Sequence, residues 1–153
     1  MQELDRTDRH ILKILQEDAR ITTVELADKV GLSPTAASER IKRLQREHYV
    51  LGYRAMLDPQ KLGLGLLVFI EVTLDKTTPD VFERFADAVK RSPEVLECHM
   101  VAGGFDYLVK TRVADMAAYR NLLGDVVLAL PGVKESRTYA VMEEVKSDGA
   151  LPV

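Results

Sequence analysis

Positive charge is concentrated in residues 33–46. This segment contains one acid, Glu39, and four basic side chains, Arg40, Lys42, Arg43 and Arg46. Basic groups at helical spacing can neutralise DNA phosphates, and Ser33 and the free N–H groups of a helix N-terminus can donate to phosphate oxygens. The alternatives are a solvated face on a core helix, or ion pairs within the protein. Arg40 and Arg46 could form such pairs with adjacent acids, which are Glu39 and Glu47.

Capping residues and a glycine predict two short helices that meet at a tight turn. Thr22 and Glu25 have the spacing of a capping box at the start of the first, and Gly31 supplies a left-handed residue at its end. Ser33 caps the second helix, and Pro34 occupies its first position, where a missing N–H costs nothing. This pattern is typical of a helix-turn-helix, whose second helix enters the DNA major groove.

The outward face of this second helix follows from its apolar residues. Ala37, Ile41 and Leu44 recur at helical spacing and are expected to face a core. Small polar side chains near the helix start are then left outward, where base edges are reached. The predicted DNA-contacting residues are Ser33, Pro34, Thr35, Ser38, Arg40, Lys42, Arg43 and Arg46. An earlier helix, capped by Asp5 with Asp8 three residues on, completes the predicted domain.

Residues 101–107 form a second segment whose residue types could bind a ligand. Gly103 and Gly104 can adopt positive φ and let the backbone approach a ligand closely. Exposed N–H groups there could bind an α-carboxylate, and Asp106 could bind an α-ammonium. The alternative is a plain β-turn, because paired glycines between strands are a common hairpin pattern. A phosphate-binding loop is excluded, since no Lys-Ser/Thr follows the glycines and the next predicted element is a strand.

Metal binding and catalysis have little support in the sequence. Cys98 and His99 are adjacent, so a strand would point them to opposite faces, and there is no second cysteine. No Ser-His-Asp or Cys-His arrangement is evident, which predicts a non-enzymatic protein without a cofactor. Cys98 is expected to be buried packing. One cysteine, no signal peptide and no apolar run of membrane length predict a cytoplasmic protein with no membrane partner.

Charge and composition predict two small folded domains. The chain has 153 residues and a net charge of −3, so positive charge is local rather than general. Residues 1–60 are predicted to form the helix-turn-helix domain, with a short hairpin or wing at 50–57. Residues 61–153 form the second domain, after a linker of which Asp58-Pro59 and Gly63-Leu64-Gly65 are part.

The second half predicts a ferredoxin-like βαββαβ domain, which makes the chain an α+β protein. Strands are predicted at 66–74, 95–101, 107–113 and 135–145, and helices at 79–91 and 116–128. Helices would cover one face of this sheet, yet residues 67–70 are apolar on both faces of the first strand. The bare face is expected to be covered by the same sheet of another subunit, and a two-fold dimer would present two recognition helices to two half-sites.

From about Leu4 to Lys146 the chain resembles the Lrp/AsnC family of transcription regulators. In the first half the resemblance rests on Leu4-Asp5-x-x-Asp8-x-x-Ile11-Leu12, Val30-Gly31-Leu32-Ser33-Pro34 and Glu39-Arg40-Ile41-x-x-Leu44. In the second half it rests on Glu97-Cys98-His99, Phe105-Asp106-Tyr107-Leu108, Lys110-Thr111-Arg112-Val113, Leu130-Pro131-Gly132-Val133, Arg137-Thr138-Tyr139 and Val141-Met142-Glu143-Glu144-Val145-Lys146.

The resemblance implies dimers built through the second domain, assembly to tetramers, octamers or larger, and small amino acids bound between dimers. With the 101–107 loop included, the implied effector-binding residues are Met100, Val101, Ala102, Gly103, Gly104, Asp106, Tyr107, Met116, Tyr139, Ala140 and Val141. The expected function is a regulator of amino-acid metabolism genes that binds double-stranded DNA and responds to leucine or another small amino acid. The alternatives are an architectural chromatin protein without a ligand, and an enzyme or amino-acid-binding module without DNA binding.

Overall fold

The computed structural model describes residues 3–147 and 149–153, and the chain divides into two compact units. The first ends at Met56 and also contains the final segment from Lys146, while the second is Leu57–Val145. The sequence places the boundary at residue 60 and the final segment in the second domain, so the structure differs at both points. The final segment joins the first unit because Gln16 Nε2 donates to the Leu151 carbonyl at 3.1 Å and the Leu151 N–H donates to Gln16 Oε1 at 2.7 Å.

Three helices form the first unit, and each begins at the cap that the sequence predicts. They are α1 (Arg6–Glu17), α2 (Thr23–Val30) and α3 (Pro34–Arg46). Asp5 and Asp8 form a capping box on α1, and Thr22 and Glu25 form another on α2. Both boxes give otherwise unpaired N–H groups a partner, which fixes where the helices start.

A tight turn joins α2 to α3. Gly31 ends α2 with φ 68° and ψ 37°, a left-handed conformation that favours glycine. Ser33 Oγ then accepts from the Ala36 N–H at 3.2 Å, and Pro34 is the first residue of α3. The three helices pack around fully buried apolar side chains, which include Ile11, Leu26, Ala27, Ala37 and Leu44. The helix-turn-helix prediction is confirmed.

The hairpin or wing predicted at residues 50–57 is not formed. This segment carries no strand, and the side chains of Leu51 and Met56 are 89% and 85% exposed. Within it, the Tyr53 hydroxyl accepts a hydrogen bond from Gln45 Nε2 at 3.3 Å. Strand-like residues form a strand only when a second backbone pairs with them, and no described residue of this chain supplies that partner.

The second unit is built on a four-stranded antiparallel sheet. Its strands are β1 (Leu66–Leu74), β2 (Val95–Met100), β3 (Tyr107–Val113) and β4 (Val133–Ala140). Their order across the sheet is β2-β3-β1-β4, which is the ferredoxin-like order. The predicted bounds of β1 and β3 match. The last strand covers 133–140 instead of the predicted 135–145, because its pairing with β1 ends at Ala140.

Helices α4 (Pro79–Lys90) and α5 (Met116–Leu122) cover one face of the sheet. α5 continues as a π-helical segment, Leu123–Val127, where the sequence predicts uninterrupted α-helix. The inner face of β1 is fully buried at Val68, Ile70 and Val72. Phe85 of α4 stacks on Tyr107 of β3 with ring centroids 4.3 Å apart. The core therefore lies between the helices and one face of the sheet.

The opposite face of the sheet carries half-buried side chains, including Phe69 and Glu71 of β1. Val68, Ile70 and Val72 are fully buried on the inner face, whereas Leu67 is the one buried residue of β1 on the opposite face, so the two faces differ as expected of a sheet covered on one side. Among the described residues, no helix is both long enough and apolar enough to cross a membrane.

Candidate functional site

The N-terminus of α3 presents the predicted base-reading residues to solvent. Ser33, Pro34 and Thr35 are exposed, and Ser38 is half-buried. Ser33 is engaged as the helix cap, so its hydroxyl already accepts one hydrogen bond, from the Ala36 N–H. Thr35 therefore has the more accessible side chain for a base edge, and the cap sets the direction in which the helix end points.

Two of the four basic residues of α3 lie on the same stripe as Thr35. At about 100° per residue, Lys42 and Arg46 fall within roughly 20° of Thr35 around the helix axis. Both are exposed. Lys42 Nζ lies 3.0 Å from Glu39 Oε1, but these side chains are 61% and 67% exposed. Such a surface pair is weak and is easily exchanged for a phosphate.

The other two basic residues, Arg40 and Arg43, lie on the flank of α3 that meets α1. Arg40 Nη1 is 2.6 Å from Asp5 Oδ2 and 2.8 Å from Asp8 Oδ1. Arg43 Nη2 is 2.5 Å from Asp8 Oδ2. The Asp8 side chain is 1% exposed, whereas Arg40 and Asp5 are 30% and 49% exposed, so the network is shielded from water at Asp8 and open at Asp5. Glu39, which the sequence suggests as an alternative partner for Arg40, pairs with Lys42 instead.

Electrostatics favour the charged forms of Asp5 and Arg40. The Asp8 backbone N–H and the Arg40 guanidinium hold the pKa of Asp5 below its ordinary value, in that order of importance. Hydrogen bonds to Asp5 and Asp8 raise the pKa of Arg40. Sequence analysis assigns Asp5 and Asp8 only to helix capping. The two acids are three residues apart at the start of α1, and Arg40 and Arg43 are three residues apart on α3. This matched spacing is the pattern that could have indicated the pairing.

The predicted effector loop is closed by Asp106. The Val101 N–H donates to the Asp106 carbonyl at 3.0 Å, and the Asp106 N–H donates to the Val72 carbonyl at 3.0 Å. Asp106 Oδ2 also accepts from the Leu74 N–H at 2.7 Å. One carboxylate oxygen of Asp106 is thus engaged in holding the end of β1, a structural role that the sequence does not predict.

The glycines of this loop do not use the left-handed conformation that is open to them. Neither Gly103 nor Gly104 has a positive φ. A Cβ added to either residue would meet nothing within 4 Å. The loop needs no glycine for its own fold here, and its backbone is open to the approach of another molecule.

Tyr107 is a core residue of the second unit. Its side chain is 5% exposed, stacks on Phe85 and contacts Phe82 edge-on with ring centroids 6.2 Å apart. Burial raises the pKa of its hydroxyl, with a smaller contribution from Cys98. The ring is held by the core, so an effector role that uses its side chain finds no support in the geometry.

The remaining effector residues fall into two groups at opposite ends of the sheet. On β3, Tyr107 pairs with Val72 of β1, which places Met100 and the 101–106 loop at that end. On β4, Ala140 pairs with Val68, and the Val141 N–H donates to the Leu67 carbonyl at 2.9 Å. Four residues of β1 separate the two registers, roughly 13 Å at ~3.3 Å per residue.

The second of these groups contains Met116, Tyr139, Ala140 and Val141. Met116 follows β3, whose last residue pairs with Leu66, so it belongs to the same end of the sheet as Ala140. Met116 and Tyr139 are 54% and 44% exposed. The Tyr139 hydroxyl donates to Glu71 Oε1 at 2.9 Å on the open face of the sheet. The backbone positions of the two groups are thus separated along β1, although the Tyr139 hydroxyl reaches Glu71, one residue from the position paired with Tyr107.

Cys98 and His99, which are adjacent on β2, differ in exposure as predicted for neighbouring residues of a strand. Cys98 is half-buried and packs against the core, while the His99 ring is 61% exposed and lies 3.4 Å from Glu97 Oε2. Burial raises the pKa of the Cys98 thiol to about 11. Residues 3–147 and 149–153 contain no group of three or more acidic, histidine or cysteine side chains placed to hold a metal ion.

Comparisons with known proteins define the class. Residues 4–45 match the AsnC-type helix-turn-helix domain, and residues 67–151 match the Lrp/AsnC ligand binding domain. The chain is thus a helix-turn-helix transcription regulator with a separate ligand-binding domain. It belongs to the Lrp/AsnC family.

Individual relatives agree with this assignment. The chain is 56% identical to the leucine-responsive regulatory proteins of Klebsiella pneumoniae and Escherichia coli K12 over 151 residues, which is 99% of this chain and 92% of each relative. A transcriptional regulator from Neisseria meningitidis, solved in complex with L-Met, has a TM-score of 0.93 and 39% identity over 98% of this chain and 97% of its own. An AsnC family regulator from Agrobacterium tumefaciens has a TM-score of 0.92 and 33% identity, covering 97% of both chains. These relatives are transcription regulators, not enzymes.

Proposed function

We propose that this regulator binds double-stranded DNA through the outward stripe of α3 and alters that binding when a small amino acid occupies its second unit. Thr35 near the helix start would meet base edges, while Lys42 and Arg46 would meet phosphates. The L-Met complex of the 39% identical relative supports an amino acid as the effector class. The single cysteine and the DNA target favour a cytoplasmic location, and no cofactor besides the effector is needed.

The effector site is proposed to form between copies of the chain. The observation that carries this step is the separation of the two effector groups by roughly 13 Å along β1. A free amino acid is too small to span this backbone separation, which supports a site that takes one group from each of two chains. The open face of the sheet and exposed apolar side chains such as Met100, Met116 and Tyr139 supply the surface for such contacts.

A homodimer assembling to tetramers, octamers or larger would link ligand binding to DNA binding. A two-fold dimer places two α3 helices for two half-sites of an imperfect palindrome. An amino acid bound between dimers favours the assembly state in which its site is complete. The coupling free energy equals the difference between its binding free energies in the two assembly states. Genes of amino-acid metabolism are the proposed targets.

Thermal melts with each of the twenty amino acids at millimolar concentration test the effector step. A ligand that binds only folded protein stabilises it by about 2.7 kcal/mol at a hundredfold excess over its dissociation constant. We expect a rise in melting temperature with one amino acid or one chemical class, and a change in mass by light scattering with the same ligand. No shift with any amino acid would contradict the proposal.

DNA binding is tested separately, by comparing affinities for a duplex selected from a random pool and for a scrambled duplex of the same composition. A regulator binds the selected duplex more tightly, and the effector identified by the melts changes that affinity. Equal affinity for both duplexes, with no effect of any amino acid, would instead indicate a ligand-independent architectural chromatin protein.

A further inference from the structure

The Asp8 carboxylate has three hydrogen-bond donors within the first unit. The Asp5 N–H donates to Asp8 Oδ2 at 3.2 Å, Arg43 Nη2 to the same oxygen at 2.5 Å, and Arg40 Nη1 to Oδ1 at 2.8 Å. The side chain is 1% exposed. A carboxylate removed from water this far is stable only while such partners remain, because a buried charge without compensation is strongly unfavourable.

These contacts tie α3 to the first turn of α1. Arg40 and Arg43 are three residues apart, so both project from one flank of α3, and Asp5 and Asp8 are spaced in the same way on α1. Arg40 Nη1 also contacts Asp5 Oδ2 at 2.6 Å. Two points of attachment along α3 fix its rotation about its own axis.

Apolar packing alone specifies that rotation poorly. The fully buried side chains of α3 are the small Ala37 and the single Leu44, with the half-buried Ile41 packed beside them, and hydrophobic contact has no preferred direction. Charge-assisted hydrogen bonds from a guanidinium do have one. A rotation of α3 that kept Leu44 buried would still break the hydrogen bonds to Asp8 and would turn Thr35 and Lys42 away from their present direction.

The charges of the network also distinguish Arg40 and Arg43 from Lys42 and Arg46. Two arginines face two carboxylates in this network, so its formal charge is zero. A phosphate that displaced Asp8 from Arg40 Nη1 or Arg43 Nη2 would leave that buried carboxylate without a counterion. A phosphate that binds the exposed Lys42 or Arg46 leaves no buried carboxylate without a counterion.

We propose that Asp8, with Asp5, is an internal counterion that positions the recognition helix, and that Arg40 and Arg43 are positioning residues rather than phosphate ligands. The inference rests on the proposed DNA binding and assigns its charges. Two of the four basic residues of α3 orient the helix, while Lys42 and Arg46 face the DNA. This replaces the role that the sequence alone suggests for Arg40 and Arg43.

The test compares Arg40→Gln with Lys42→Gln in the full chain, measuring affinity for the selected duplex against salt concentration. Each variant removes one positive charge from α3, two positions apart. The slope of log affinity against log salt changes by about 0.9 for each phosphate that the protein no longer neutralises. We expect the slope of Lys42→Gln to be smaller by about that much. Arg40→Gln should bind more weakly by the same factor at every salt concentration, with the wild-type slope.

Asp5→Asn provides a second variant that keeps the fold, because Asn caps a helix as well as Asp does. Removing a negative charge beside α3 should strengthen DNA binding if charge alone matters. If Asp5 positions the helix, Asp5→Asn weakens binding to the selected duplex and leaves binding to the scrambled duplex nearly unchanged. Melting temperature and circular dichroism confirm that each variant is folded.

An equal decrease of slope in Arg40→Gln and Lys42→Gln, or tighter binding of the selected duplex by Asp5→Asn, would overturn this inference and leave the proposed function standing. A wild-type chain without salt-dependent DNA binding would overturn the proposed function and this inference with it.

Discussion

Asp106 and Leu74 are joined by a hydrogen bond of 2.7 Å from the Leu74 N–H to Asp106 Oδ2, which closes the predicted effector loop onto the end of β1. The residue proposed to meet the ammonium group of an effector therefore also holds the sheet together. A variant that removes the side chain would confuse the two roles. Two variants at this position separate them, because only one keeps an oxygen acceptor.

The first prediction is that Asp106→Ala and Asp106→Asn both lose the effector response, but only Asp106→Ala loses stability. Alanine leaves the half-buried Leu74 N–H without its partner, at a cost of about 1–3 kcal/mol in the free energy of unfolding. Asparagine keeps an acceptor and loses only the charge. Urea unfolding measures stability, and DNA binding with and without effector measures the response. An Asp106→Asn protein that still responds would rule out the charge-based role.

The features of the fold that local chemistry controls follow from the sequence. Ser33 and the Thr22–Glu25 pair start their helices, and Gly31 ends one, because each acts on backbone groups within four residues. A run of apolar, strand-forming residues predicts β1 at its observed bounds, and the predicted bounds of β3 also match. These patterns are short-range, and the structure confirms them.

Long-range partners are not determined in this way. Asp8 meets Arg40 and Arg43 across 32 and 35 residues of sequence, and nothing in a helix-capping pattern indicates that its side chain also binds another helix. The effector residues are a similar case. A resemblance places Met100 and Ala140 in one functional set, but strand register puts them at opposite ends of a sheet. In the proposed assembly, contacts between chains decide which of them share a site.

The second prediction concerns acid. Hydrogen bonds lower the pKa of Asp5, mainly from the Asp8 N–H and then from Arg40, and lower the pKa of Glu25, mainly from the Thr22 hydroxyl. A carboxyl whose folded pKa is depressed stabilises the fold above its unfolded pKa, and that stability is lost as pH falls through the lower folded value. The melting temperature should therefore begin to fall below about pH 4.

The double variant Asp5→Asn, Glu25→Gln is the control for this titration. It lacks both contributions at every pH, so its melting temperature should lie below that of the wild type at about pH 7. The two melting temperatures should approach each other as the pH falls below about 4, because the wild type progressively loses the same contributions there. A difference between the two proteins that stays constant across this acid range would show that these carboxyls are not the source of the acid sensitivity.

The third prediction is that Cys98 reacts slowly in the folded protein. Burial raises the pKa of its thiol to about 11, so the reactive thiolate is roughly a hundredfold scarcer than for a thiol of ordinary pKa. Alkylation by iodoacetamide at about pH 8 should be correspondingly slower in the native protein than in urea. Equal rates in both conditions would contradict the burial of this side chain.

The fourth prediction compares two left-handed glycines that differ in their surroundings. Gly31 has φ 68° and a Cβ added there would meet nothing within 4 Å, whereas Gly132 has φ 77° and its added Cβ would lie 2.7 Å from Val81 Cγ1. Alanine at either position takes on left-handed strain of about 1–2 kcal/mol. At Gly132 it must also displace Val81, a side chain only 5% exposed in the core, and overpacking of a core adds roughly 1–3 kcal/mol. Gly132→Ala should therefore lower the free energy of unfolding more than Gly31→Ala, as measured by urea denaturation followed by circular dichroism. Equal losses would mean that Val81 moves aside without cost and that backbone strain alone sets the effect at both turns.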